Sequence, residues 1–245
     1  MTKIWAHRGA SGYAPENTLE AFELAADMGT DGVELDVQMT RDGYLVVVHD
    51  ERIDRVSDGT GFVRDYTLEE LKRFKFNKTH PEYEDAKIPT LREVYELLKE
   101  TPLFINVELK TGIYFYDGLE ERVLDLTKRM GMEERVIYSS FNHYSVKKIK
   151  ELNPKAKTGI LYLDGIWNPS VYAQSIGADA LHPAFYNLQY PDFMEEARKN
   201  GKQVHVWTVN DEKQAVECLN MGVDAIISNY PDRMMDVRKM YKYNE

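Results

Sequence analysis

The chain has 245 residues, 43% hydrophobic and 29% charged, an ordinary composition for a folded domain with a substantial core. Its formal charge of −10 argues against a nucleic-acid groove and against docking on an anionic membrane, while a small anionic substrate stays compatible if cations reverse the field locally. The single cysteine, Cys218, excludes an intrachain disulfide and a cysteine-rich metal site, and its helical setting, EKQAVECLNMG, makes it a packing residue.

From the N-terminus, MTKIWAHRGAS carries no signal-peptide pattern, and no later run nears the roughly 20 apolar residues of a membrane span. A cytoplasmic protein without membrane insertion is expected. KIWAHRG reads as a strand. PENTLEAFELAADMG then reads as a helix with Asn17 as N-cap, Glu20 completing a capping box and Gly29 ending it.

Further strand-like runs follow: GVELDVQ, PLFINVELK, RVIYSSF, KTGILYL, DALHPAF, KQVHVWTV and DAIISNY. Helical patterns separate them near 89–100, 117–130, 143–152, 169–176, 191–200 and 211–221, with a last helix over 231–241. Eight strands alternating with helices predict a TIM barrel, with a doubly wound open sheet as the alternative. LVVVHD is not one of the eight. The link TRDGY is too short for a parallel crossover, so 45–50 should return antiparallel along 33–39 as a hairpin extension. The segment 51–88 breaks the rhythm and reads as a small insertion over one mouth of a single 1–245 barrel domain. A homodimer is compatible with the sequence.

In VELDV, side chains alternate, so Glu34 and Asp36 share one face and Val33, Leu35 and Val37 the other. In INVELK, Asn106, Glu108 and Lys110 share a face in the same way. If the hairpin turn centres between Asp42 and Gly43, His49 returns to the level of Asp36. Three inward carboxylates, Glu34, Asp36 and Glu108, carry a large desolvation and repulsion cost unless something neutralises them. A divalent cation would do so, and oxygen-only ligands favour Mg²⁺ or Ca²⁺, with Mn²⁺ an alternative. Pairing with Arg8 and Lys110 is the structural alternative.

His7 and Arg8 end the first strand and His49 ends the hairpin. Two imidazoles beside three carboxylates suit general acid and base work near neutral pH. Arg8 could hold a phosphate through its planar fork. Trp207, near the end of its strand, is a candidate apolar wall or a core residue. His80 and His143 read as surface or capping residues, and His182 and His205 as late-strand residues of weaker promise.

HRGASGYAPENT, VELDVQMTRDG, VVVHD, IPTLREV and NVELK, with VHVWTVN and AIISNYPD at the end, resemble the glycerophosphodiester phosphodiesterases in order and spacing from His7 to Asp232. The resemblance implies a TIM barrel that uses a bound divalent cation to hydrolyse glycerophosphodiesters, such as glycerophosphocholine or glycerophosphoethanolamine, to glycerol 3-phosphate and an alcohol. It implies metal ligation by Glu34, Asp36 and Glu108, catalysis by His7 and His49, and phosphate contacts from Arg8 and Lys110. The nucleophile is water or the glycerol 2-hydroxyl. A lysophospholipase D and a noncatalytic phosphate-binding barrel are the alternatives.

Overall fold

A computed structural model describes residues 1–243. Eight parallel strands close into a barrel: β1 (Lys3–His7), β2 (Gly32–Met39), β4 (Phe104–Leu109), β5 (Val136–Ser140), β6 (Lys157–Tyr162), β7 (Ala180–Pro183), β8 (Gln203–Val206) and β9 (Ala225–Ser228). Closure is between the first and last of them, because β1 pairs in parallel with both β2 and β9. Helices lie between the strands, as the sequence rhythm requires of parallel neighbours. The molecule is a TIM barrel.

The strands' outward residues pack under the helices. Val33, Leu35 and Val37 of β2 share one apolar cluster with Phe22 of α1 (Leu19–Asp27) and Leu91 and Tyr95 of α3 (Leu91–Leu98). A second cluster holds the other half, where Cys218 of α8 (Glu212–Met221) is fully buried beside Ile226 of β9. Trp5, Ile137, Ala180, Ala225 and Ile227 fill the barrel floor. Among the described residues, no helix is long and apolar enough to cross a membrane.

The remaining strand, β3 (Leu45–Val47), runs antiparallel to the end of β2 that extends past β1. Its residues alternate between two cores: Leu45 and Val47 join the α1–α3 cluster, while Val46 and Val48 join a separate one with Ile53, Val63, Leu71 and Phe76. The segment after the hairpin thus builds its own small core, including the short helix α2 (Leu68–Arg73).

Two local expectations are corrected. Thr18, not Asn17, caps α1: its side chain accepts from the Ala21 N–H, and Asn17 is freed for another task. The hairpin register differs by one residue, with Val37 opposite Val47. Thr40 pairs with Tyr44, so the turn centres on Asp42, and Gly43 takes φ +83° as a left-handed closing residue. Asp36 therefore faces Val48, and His49 lies one step beyond the ladder.

Candidate active site

At the C-terminal end of β2 and β4, register places Asp36 beside Glu108 and Glu34 beside Asn106. His7, at the end of β1, is beside Glu34. One oxygen from each of Glu34, Asp36 and Glu108 lies within 4.8 Å of the others, and all three residues are buried. The alternation read from the sequence thus brings these three together.

Three carboxylates at this spacing strain one another's ionisation. Burial, then repulsion from Asp36 and Glu108, pushes Glu34 well above the usual carboxylate range. Glu108 is raised by burial and by Asp36. Burial also works against Asp36, but Arg8, with smaller help from His49, Lys110 and Asn17, holds it below its usual range. Its second oxygen, Oδ1, is buried without a hydrogen-bond partner. An ionised carboxylate with an orphaned buried oxygen, beside two reluctant ones, is the arrangement a hard cation completes.

The loop after β1 is shaped by left-handed backbone. Arg8 has φ +55° and Gly9 φ +76°, a conformation rare outside glycine and asparagine. A Cβ on Gly9 would lie 2.6 Å from the Ala21 carbonyl carbon, so only glycine fits. This bend aims the Arg8 N–H at Glu34 Oε2, 3.0 Å away. The Arg8 guanidinium then meets Asp36 at 3.3 Å and Glu16 at 2.9 Å. Asn17 is also left-handed, φ +59°, and donates its amide to Asp36 Oδ2 at 2.8 Å. Lys110 donates to Glu108 Oε1 at 3.0 Å. The two cations proposed for phosphate are thus paired with carboxylates here.

Both mouth histidines turn Nδ1 to a fixed oxygen. Asn229 Oδ1 lies 2.7 Å from Nδ1 of His7, so that nitrogen donates and Nε2 keeps its lone pair. Nε2 is 3.9 Å from Glu34 Oε2. Burial, then Arg8, lowers the His7 pKa to about 4, so the ring is neutral at pH 7. Asp50 Oδ1 lies 2.6 Å from Nδ1 of His49, which leaves Nε2 as the ring nitrogen without a protein partner among the described residues. The bond from His49, then Arg55, keeps Asp50 ionised despite partial burial.

Several supporting residues were not singled out in the sequence. Gln38 is the next inward residue of β2 after Asp36, and its amide donates to the carbonyls of Val48, His49 and Asp50 at 3.2, 3.0 and 2.7 Å. Its Oε1 accepts from Tyr116 at 2.8 Å. Strand alternation alone could have found Gln38. Arg55 joins Asp50 to Glu16, with bonds of 2.7 Å to each; no local pattern announces that bridge across 39 residues.

The other sequence candidates divide. Trp207 follows the C-terminal end of β8, half-buried over the interior apolar cluster, donates its indole N–H to the His182 carbonyl at 2.8 Å, and meets Phe141 edge-on. His182 and His205 are buried partners, Nε2 to Nδ1, at 2.9 Å. His143, read as a surface or capping residue, opens its helix half-buried, with its ring between the Leu161 carbonyl and the Tyr172 hydroxyl. His80 stays outside, against Tyr83.

Residues 7–233 match the model of the glycerophosphoryl diester phosphodiesterase family. A glycerophosphodiester phosphodiesterase of Caldanaerobacter subterraneus is 43% identical over 97% of this chain and 98% of its own. One of Bacillus altitudinis is 42% identical over 99% and 100%. A phosphodiesterase of Oleispira antarctica, solved with its product sn-glycerol-3-phosphate, superposes with TM-score 0.87 at 29% identity, covering 98% of this chain and 97% of that one. The chain is a phosphodiesterase and belongs to the glycerophosphoryl diester phosphodiesterase family.

Proposed function

We propose that this enzyme hydrolyses glycerophosphodiesters such as glycerophosphocholine and glycerophosphoethanolamine to glycerol 3-phosphate and an alcohol. The observation that carries the reading is the buried carboxylate trio flanked by two imidazoles, each with Nε2 open. Glu34, Asp36 and Glu108 would hold one divalent cation, Mg²⁺ or Ca²⁺, with Mn²⁺ the alternative. When bound, such an ion supplies Lewis acidity toward the phosphoryl oxygens.

The chain's own groups do the rest. Arg8 and Lys110 stand beside the trio as the fixed positive charges for a phosphate. One imidazole takes the proton of the attacking hydroxyl, from water or from the glycerol 2-hydroxyl, as the new P–O bond forms. The other, protonated on Nε2 before the step, gives that proton to the leaving alkoxide as the old P–O bond breaks; where the glycerol 2-hydroxyl attacks, water then opens the cyclic phosphate to glycerol 3-phosphate. Asn229 and Asp50 hold the two rings so that Nε2 is the nitrogen in play. Trp207 offers an apolar wall for the carbon portion of the substrate. We place the enzyme in the cytoplasm and read 51–88 as an insertion within one barrel domain.

Exposed Ile113 and Phe115, on the loop after β4, favour a second reading in which the leaving side carries an acyl chain. The deciding assay is release of glycerol 3-phosphate from glycerophosphocholine and glycerophosphoethanolamine with each metal, with chelator and with His49→Ala. Metal-dependent release lost in the last two arms supports the proposal. Release only from lysophospholipid, measured as lysophosphatidate, moves it to the second reading, and no release from either overturns both.

A further inference from the structure

One guanidinium stands between the two halves of the site. Arg55 closes a short helical turn, Ile53–Arg55, in the segment after the hairpin. It makes two forks. Its Nε and Nη2 donate to Asp50 Oδ2 and Oδ1 at 2.7 and 3.1 Å. Its Nη1 and Nη2 donate to Glu16 Oε2 and Oε1 at 2.7 Å each. Each of these carboxylates also holds a group of the site. Asp50 Oδ1 faces His49 Nδ1, and Glu16 Oε1 accepts from Arg8 at 2.9 Å. Arg8 in turn meets Asp36. Charge alternates along the line Asp36, Arg8, Glu16, Arg55, Asp50, with the His49 ring at its end.

The segment after the hairpin fixes the turn that carries this group. Ser57, fully buried, donates its hydroxyl to the Ile53 carbonyl at 2.8 Å. Lys78 donates to the Asp54 carbonyl at 2.6 Å. The Ile53 side chain is anchored in the segment's own small core.

The Arg55 side chain is 44% exposed, so solvent screens much of its charge. Its geometry is not screened. A planar guanidinium holds two carboxylates at fixed angles, which an ammonium does not. Asp50 and Glu16 share its Nη2, so without Arg55 two like charges would stand next to each other and separate. Burial works against ionised Glu16, and Arg55, then Arg8, holds it below its usual range.

We infer that Arg55 is a positioning residue for the phosphodiesterase reaction. By gripping Asp50 and Glu16 together it fixes the His49 ring relative to Arg8 and the carboxylate trio, and this is what the segment after the hairpin contributes to the site. The inference rests on the reading in which His49 moves a proton.

The test compares Arg55→Met, Arg55→Lys and Asp50→Asn, and Arg55→Met combined with Asp50→Asn, in the full chain with its divalent cation. Arg52→Met is the control, because Arg52 precedes the same turn but pairs with Asp54, at 2.9 Å. Arg55→Met should lower kcat for glycerol 3-phosphate release about 10–100-fold with KM within about threefold. Arg55→Lys keeps the charge without the forks and should stay within about threefold of Arg55→Met; it carries the test if the methionine variant does not fold. The double variant should fall no further than the lower single variant, since both changes act through His49. Nitrogen NMR should show the His49 ring signals shifted or broadened in Arg55→Met and unchanged in Arg52→Met. The inference is overturned if Arg55→Met or Arg55→Lys keeps the activity of Arg52→Met, if the losses in Arg55→Met and Asp50→Asn multiply, or if the His49 signals do not move. If the unaltered chain releases no glycerol 3-phosphate, the catalytic reading is what fails, and the His49 signals alone decide whether Arg55 positions the ring.

Discussion

Two pairs of histidines sit in one barrel and illustrate opposite uses of the same side chain. At the mouth, His7 and His49 each give Nδ1 to a fixed oxygen and keep Nε2 free beside charged groups. In the interior, His182 Nε2 and His205 Nδ1 face one another while His182 Nδ1 is buried without a partner, and His205 lies 4.6 Å from the Trp5 ring. Burial lowers His205 to about 3, and burial with the neighbouring His205 takes His182 well below its usual value. A histidine's role here follows from which nitrogen is left over and what stands opposite it, more than from how deeply the ring is buried. His7 makes the point, being mostly buried and still open at Nε2.

That contrast predicts unequal losses. His7→Ala or His49→Ala should each cost on the order of 10²–10⁴ in kcat, with metal affinity nearly unchanged in titration. His182→Leu with His205→Phe should leave kcat within about threefold; a loss as deep as at the mouth would erase the distinction drawn here. Asn17→Ala, which strips Asp36 of its amide partner, should weaken metal binding about 10–100-fold, the usual range for a group that holds a ligand in place. Equilibrium dialysis reads that directly.

Gln38→Leu should lower kcat about tenfold while KM changes little, because the His49 backbone loses the amide that gathers its carbonyls. A change confined to Tm would show that Gln38 only supports the hairpin. The floor pair has its own signature in acid. His205 binds its proton at about 3 in the folded chain and at 6.5 when unfolded. Between those values the unfolded state holds more protons, so stability is complete above about pH 6.5 and falls as pH drops. Denaturation midpoints from pH 7 to pH 4 should show a gentler slope in the His182→Leu, His205→Phe protein.

The sequence exposed the barrel because β and α periods alternate cleanly, and it exposed Glu34, Asp36 and Glu108 because strand alternation is a short-range rule. It pointed to His7 because that residue ends β1, and to His49 because the apolar run LVVV leads to it, although β3 itself stops at Val47. It hid Asn17, whose place in PENT looks like a helix cap until its left-handed backbone turns the amide toward Asp36. It hid the Glu16–Arg55–Asp50 bridge, since partners 39 residues apart meet only through the insertion's own packing. The hairpin slipped by one residue because Thr40 and Gly43 build a three-residue turn where a two-residue one was assumed.

Closure itself has a consequence in time. His7 belongs to the first strand made, but Asn229, which fixes its tautomer, follows the last strand. Thr2 is tied to Val223, and Arg238 reaches back to the Thr2 carbonyl and Asp31. This imidazole therefore stays unoriented in a chain still emerging from the ribosome until residue 229 has been made and β9 has closed on β1.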